Sequence, residues 1–390
     1  MRLFGSLLLA LAALPLGAAS YDVILAGGRV FDGAGNPWFL ADVALRDGRI
    51  AAIGNLSGDS ARLRLDVRGL AVAPGFLDIH SHGDRGLAAT PTAENYLRQG
   101  VTTIFGGQDG GGGLPVAKTL AEQSAIPISI NIGYFAGQGS IRGRVMGTEN
   151  RAATREEIEQ MKRLAEEAMR DGAFGLSTGL YYIPGNFTPV EEVIEIARVV
   201  GRLGGMHISH MRDEAGGILE SVRECIRIGE EGRLPTQLTH HKIIGRANWG
   251  LSKETLRMVA EARARGVDVT IDQYPYTASS TGTAALFPQW AQAGGRKALL
   301  ERLDAPGQLA RIQAEIVRRI HDERGGGDPR NVVLASCPFA PGLDGKSLAD
   351  LCRERGVEAS AENAAAVAVD IQRKGGCTAV YHAIGEEDVE

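Results

Sequence analysis

Between residues 75 and 273 short apolar runs alternate with longer stretches whose apolar positions recur every three to four residues. The runs predict strands over 76–82 (FLDIHSH), 101–106 (VTTIFG), 127–133 (PISINIG), 173–179 (AFGLSTG), 204–210 (GGMHISH), 235–241 (PTQLTHH) and 267–273 (VDVTIDQ). The stretches between them predict amphipathic helices, clearest in TREEIEQMKRLAEEAMRDG: Thr154 can cap the first turn, Glu157 completes a capping box and Gly172 stops the helix. TPVEEVIEIARVVGRLG and SKETLRMVAEARARG repeat the pattern. Alternating strand and helix imply parallel strands joined by right-handed crossovers, and polar residues at the strand ends suit a (β/α)₈ barrel better than an open sheet.

The pattern differs at both ends. YDVILAGGRVFDG, ADVALRDGRIAAIG and RLRLDVRGLAVAPG are β-rich segments broken at Gly, Asp and Asn, which predicts a small all-β unit over 20–73 before a barrel over 74–390. Over about 284–350 the rhythm is interrupted by a helix, ERLDAPGQLARIQAEIVRRIHDERGG, and a strand, NVVLAS, read as an insertion. The final CTAVYHAIGEEDVE reads as a helix start with no strand after it, so either one strand assignment is wrong or the eighth barrel strand lies beyond Glu390. Residues 1–19 have a basic Arg2, an apolar run from Leu3 to Leu16 and small residues at Gly17, Ala18 and Ala19, the layout of a secretory signal peptide. A periplasmic or secreted protein is expected, with no stable membrane anchor after cleavage.

Composition narrows the partners. With 42 basic and 47 acidic residues, a net charge of -5 and no basic run, nucleic acid is not an expected ligand. Cys225, Cys337, Cys352 and Cys377 contain no C-x-x-C pair; the first reading is unpaired thiols, the second one disulfide within 337–377.

Histidine is scarce, and six of the eight fall at predicted strand ends. On a strand His80 and His82 would share a face. Together with Asp109 beyond the second strand, His210 from the fifth and either His240 or His241 from the sixth, they form a candidate set for one or two Zn²⁺ ions, with Mn²⁺ as the alternative. Asp109 is otherwise a turn residue of GGQDGGGG, and His207 and His241 are otherwise packing or orienting groups; His382 has no assigned role.

The run VAPGFLDIHSHGD resembles the metal-binding opening of the amidohydrolase superfamily. GVTTIFGGQDG, GLSTGLYYIPG, HISHMRDE, LTHHKIIGRANWG and DQYPYTASST are together similar, in order and spacing over 22–390, to the N-acyl-D-amino-acid deacylases, or D-aminoacylases. The resemblance implies a (β/α)₈ barrel with a small β-sandwich built from both chain ends, and metal-dependent hydrolysis of a small-molecule substrate, an N-acyl-D-amino acid. It implies that His80 and His82 hold the more buried ion, and His210 and His240 the other. Where the family has G-N-C-G with a bridging cysteine, this chain has GQDG, which puts Asp109 in the bridging position. A carboxylate can span two cations through its two oxygens and is a harder ligand than thiolate.

The resemblance also implies that Tyr182 and Lys242 bind the substrate carboxylate; the alternatives are a Tyr packed on a loop and a Lys paired to a neighbouring acid. Arg212, Asp213 and Glu214 would orient His210 or line the pocket, and Asp272 would support the ligands. The family's acid/base Asp comes from a GSDG-like segment on the eighth strand, and no such segment precedes Glu390, so no catalytic acid or base is assigned. Other readings are a D-amino-acid-releasing dipeptidase or cyclic amide hydrolase of the same superfamily, and a non-catalytic metal- or ligand-binding protein.

Overall fold

A computed structural model describes residues 20–390; the predicted signal peptide lies outside the described residues. The chain divides into two units, Met1–Phe76 and Leu77–Glu390.

The first unit contains one mixed sheet of β1 (Ser20–Val30), β2 (Phe39–Arg46), β3 (Arg49–Gly54), β4 (Ser60–Asp66) and β5 (Ala71–Val72). Its order is β3-β2-β1-β4, with β5 also on β1. Asp47 and Gly48 link β2 to β3 with φ of 52° and 70°, the two-residue turn that favours Asp-Gly because both positions need positive φ. Ile24, Ala44 and Leu56 are its buried centre. Among the described residues 20–72 there is this one sheet, a single layer where the resemblance implies a sandwich of two.

Parallel strands follow in two runs: β6 (Phe76–Asp78), β7 (Val101–Gly106) and β8 (Asn131–Tyr134), then β9 (Ala136–Gly137), β10 (Gly175–Gly179), β11 (Met206–His210), β12 (Thr236–Leu238) and β13 (Val269–Ile271). β8 and β9 flank Phe135, so one stretch of chain passes from the first run to the second. Together they are the wall of a distorted (β/α)₈-like barrel. The capping box forms as expected: Thr154 Oγ1 accepts from the Glu157 N–H at 3.2 Å, and the Thr154 N–H donates to Glu157 Oε2 at 2.7 Å. Its helix, Arg155–Arg170, buries Met161, Ala165 and Ala168 along one face.

Four expectations need correction. The first predicted strand, 76–82, ends at Asp78, because Asp78 Oδ1 accepts the His80 N–H at 3.1 Å and turns the chain. His80 and His82 therefore lie in the loop beyond the strand. The interruption placed at 284–350 is wider: β14 (Ser279–Gly282), β15 (Val332–Ser336) and β16 (Thr378–Tyr381) form an antiparallel sheet in the order β14-β16-β15. The tail read as a helix start is thus the central strand, with Ala379 and Tyr381 both buried. Helices Gly295–Asp304, Pro306–Asp322, Leu348–Glu354 and Ala361–Lys374 contribute to a separate core beside this sheet. A Cys337–Cys377 disulfide joins the end of β15 to the start of β16, while Cys225 and Cys352 are free and buried. The second cysteine reading replaces the first.

Candidate metal centre

Asp109 stands three residues past β7 with φ of 55°. Its loop is held tightly: the Gln108 side-chain amide donates to Ile79 O at 2.9 Å and to Phe105 O at 2.7 Å. A Cβ on Gly107 would meet Phe135 O at 2.3 Å, and one on Gly179 would meet Asp109 O at 1.9 Å, so only glycine admits this close approach.

Around that carboxylate the imidazoles converge. Asp109 Oδ1 lies 3.9 Å from His80 Nε2, 3.7 Å from His210 Nδ1 and 3.8 Å from His240 Nε2, while Oδ2 lies 3.1 Å from His82 Nε2. His210 ends β11; His240 sits two residues past β12 in a left-handed conformation, φ 38°. His240 Nε2 and His210 Nδ1 are 2.6 Å apart. His241 turns away and bonds Thr255 Oγ1 through Nε2 at 2.9 Å, so position separates the two neighbouring histidines. His207 is likewise outside the cluster, between Thr178 Oγ1 at 2.9 Å and Thr236 Oγ1 at 2.7 Å.

Carboxylates set the other faces of two of these rings. His80 Nδ1 lies 2.8 Å from Asp272 Oδ1, which also accepts the His240 N–H at 2.6 Å, while Gln237 donates to Oδ2. His240 Nδ1 lies 3.1 Å from Glu214 Oε1 and 2.7 Å from Lys242 Nζ. A ring donating Nδ1–H to a carboxylate presents its Nε2 lone pair on the opposite side. For His80, beside Asp272, that side faces Asp109.

Charge follows the same plan. Burial alone would raise the Asp109 carboxyl, but the surrounding imidazoles of His240, His82 and His210 hold it well below the ordinary range. Burial opposes the charge of Glu214 too, and Lys242, His210 and His240 hold it well below the ordinary range. Burial draws the Lys242 ammonium down, against Glu214. Asp109 and Glu214 are therefore anions at neutral pH.

The donor set fits a metal ion by two observations. Asp109 Oδ1, Glu214 Oε2 and His210 Nε2 are buried and without hydrogen-bond partners, although burying such atoms is costly. Two groups, His80–Asp109–His240 and His210–Glu214–His240, each offer ligand atoms within 4.8 Å of one another. Ligands of one ion are separated by at most about twice the 2.0–2.2 Å bond expected for zinc.

The five candidate ligands line one cavity of about 510 Å³, with Tyr182, Lys242, Tyr274 and Arg324 among its other walls. Lys242 is buried and ion-paired to Glu214, and the Tyr182 hydroxyl bonds Thr281 Oγ1 at 3.1 Å. Arg324 is new. Buried at 4 % exposure, it lies 3.6 Å from Glu214 Oε2 through Nη2 and donates to Ser279 Oγ at 3.3 Å through Nη1. In sequence it is one arginine before three glycines, and no periodicity or ligand spacing marks it.

No family model matches the chain. It is 40% identical over 284 residues to the D-aminoacylase of Alcaligenes xylosoxydans xylosoxydans, covering 67% of this chain and 58% of that protein. To the N-acyl-D-glutamate deacylase of the same organism it is 37% identical over 282 residues, with the same coverages, 67% and 58%. The chain thus spans under three fifths of the length of these curated relatives. A D-aminoacylase crystal structure superposes with a TM-score of 0.76 at 32% identity, covering 95% of this chain and 73% of that one. The N-acyl-D-glutamate deacylase of Bordetella bronchiseptica, solved with zinc and a phosphonate inhibitor, gives 0.77 at 29% identity with the same coverages, 95% and 73%. Identity at this level across both sequence and fold decides the matter: the chain belongs to the N-acyl-D-amino-acid deacylase (D-aminoacylase) family of the amidohydrolase superfamily.

Proposed function

We propose that the protein hydrolyses the N-acyl amide bond of N-acyl-D-amino acids with a divalent cation, zinc in the first instance. The observation that carries this reading is the buried, unbonded Oδ1 of Asp109, 3.7–3.9 Å from three imidazole nitrogens. His80 and His240 with Asp109 Oδ1 would hold one cation, and His210 with Glu214 and His240 forms a second candidate set, while His82 stands 3.1 Å from Asp109 Oδ2. Bound there, a zinc-class cation supplies Lewis acidity toward an amide carbonyl and toward water.

The chain's own residues do the rest. Asp272 and Glu214 fix the ring orientation of His80 and His240. Asp272 accepts from His80, His240 and Gln237, so it serves as an orienting group rather than a free base. On the facing wall Lys242 and Arg324 meet a single carboxylate, Glu214, leaving one positive charge in surplus. That surplus, with the Tyr182 hydroxyl, suits the carboxylate of an amino-acid substrate. Secretion or a periplasmic location is part of the proposal; the Cys337–Cys377 disulfide supports it, since such bonds persist in oxidising compartments.

Purified protein assayed on paired N-acetyl-D- and N-acetyl-L-amino acids should act on the D series and contain zinc. His80→Ala should lower both metal content and kcat/KM, the latter by more than about 100-fold, beyond the loss typical of an outer-shell group. Activity confined to L compounds, or full metal content and activity in the variant, would overturn the reading.

A further inference from the structure

A second cavity, about 240 Å³, adjoins the metal pocket: Tyr182 and Thr281 line both. A wider opening lined by His82, Asp109 and Tyr182 shares Ile183 and Gly282 with it as well. Its walls are largely apolar, from Ile183, Ala284, Ala285 and Phe287, with Gln289, Gln292 and Arg319 as polar members. Arg319 reaches it from helix Pro306–Asp322, outside the barrel strands.

Arg319 is 6 % exposed, and among the described residues no carboxylate forms an ion pair with it. The neighbouring buried arginine, Arg324, does have such a partner in Glu214. Arg319 is met only by neutral acceptors: Nη1 donates to Tyr181 Oη at 3.0 Å and to Ala285 O at 2.8 Å, and Nη2 donates to Gln289 Oε1 at 3.3 Å. Its Nε is buried without a partner. A guanidinium has five N–H donors, and a buried cation is costly unless an anion compensates it. Here two donors remain beside a cavity, and the anion is missing.

We propose that this cavity is a carboxylate-binding pocket, in which Arg319 recognises the terminal carboxylate of a short aliphatic chain carried by the substrate. The apolar walls receive the methylenes, and Nη2, held by one long bond to Gln289, turns to the incoming oxygens. The inference rests on the proposed deacylase reading for what is attached to the carboxylate. The acidic chain can belong to the amino acid or to the acyl group, and the chemistry recognised is the same.

The test begins with binding, on the full chain and independent of turnover. Glutarate and its neutral counterpart glutaramide are titrated by calorimetry into the wild type, Arg319→Gln and Gln289→Glu. The second variant supplies the missing counter-charge beside Nη2 with almost no change in shape, so it stands in if the first fails to fold. Glutarate should bind the wild type at least about tenfold more tightly than glutaramide, the scale of one charge-assisted bond, and each variant should lose that margin. Equal affinity for the two ligands, or a margin unchanged in either folded variant, overturns the proposal.

Kinetics then identify the source. N-acetyl-D-glutamate against N-acetyl-D-glutamine reports on the side chain, and N-succinyl-D-leucine against N-butyryl-D-leucine on the acyl group. A preference in one arm that falls at least tenfold in Gln289→Glu supports the proposal for that source. Hydrolysis of the neutral compounds with no acidic preference in either arm overturns the proposal and leaves the deacylase reading standing. No hydrolysis of any compound overturns the deacylase reading, and calorimetry alone then decides the pocket.

Discussion

Glu214 concentrates the residue-scale logic of the centre. One buried carboxylate contacts His240 Nδ1, Lys242 Nζ and Arg324 Nη2, and lies 3.9 Å from His210 Nε2. Replacing it by Gln would leave two buried cations, Lys242 and Arg324, uncompensated. Glu214→Gln should weaken metal affinity about 10–100-fold, as measured by chelator competition, and destabilise the fold by about 3–5 kcal/mol in denaturant titration. The same environment revises the part given to Lys242: a cation at 4 % exposure, tied to Glu214, contributes charge to the pocket wall more than a free ammonium. The alternative of a lysine paired to a neighbouring acid is what the geometry displays. Lys242 was legible as a polar residue after two histidines, but its partner was not, since Glu214 reaches it across 28 residues of sequence.

At the scale of elements, the strand periodicity located every barrel strand except the two-residue β9, but not where each one stops. His80 and His82 leave β6 early because Asp78 captures the His80 N–H, a local competition between side chain and ladder. His240 reaches the centre only through a left-handed residue whose N–H is taken by Asp272, 32 residues away. The small antiparallel sheet carries its own tie. Cys337 and Cys377 close a loop of 40 residues between β15 and β16. Replacing both by Ala should cost about 2–4 kcal/mol of stability in the unit Leu77–Glu390, read as a lowered midpoint in denaturant; an unchanged midpoint would show that packing alone holds the sheet.

For the molecule as a whole, buried neutral histidine links stability to pH. Burial pushes the His207 pKa down to about 3, against about 6.5 when unfolded. Between those values the unfolded chain binds a proton that the folded chain does not, so the contribution is complete above about pH 6.5 and is lost as pH falls toward 3. His207→Gln, which can still bond Thr178 and Thr236, should flatten the fall in Tm between pH 6.5 and 4; an unaltered slope would place the acid sensitivity elsewhere. By itself the sequence determined the alternation of strand and helix, the capping of helix Arg155–Arg170, and a candidate set of His80, His82, Asp109, His210 and one of two adjacent histidines, because periodicity, caps and ligand types are local properties. Tertiary structure alone decided which of His240 and His241 faces the centre, that Glu214 stands beside His240, Lys242 and Arg324, and that Arg324 and Arg319 stand at two adjoining cavities. It also decided that the tail is the middle strand of a second sheet. Those facts depend on contacts between residues tens to hundreds of positions apart, and no local pattern encodes the partner at the far end.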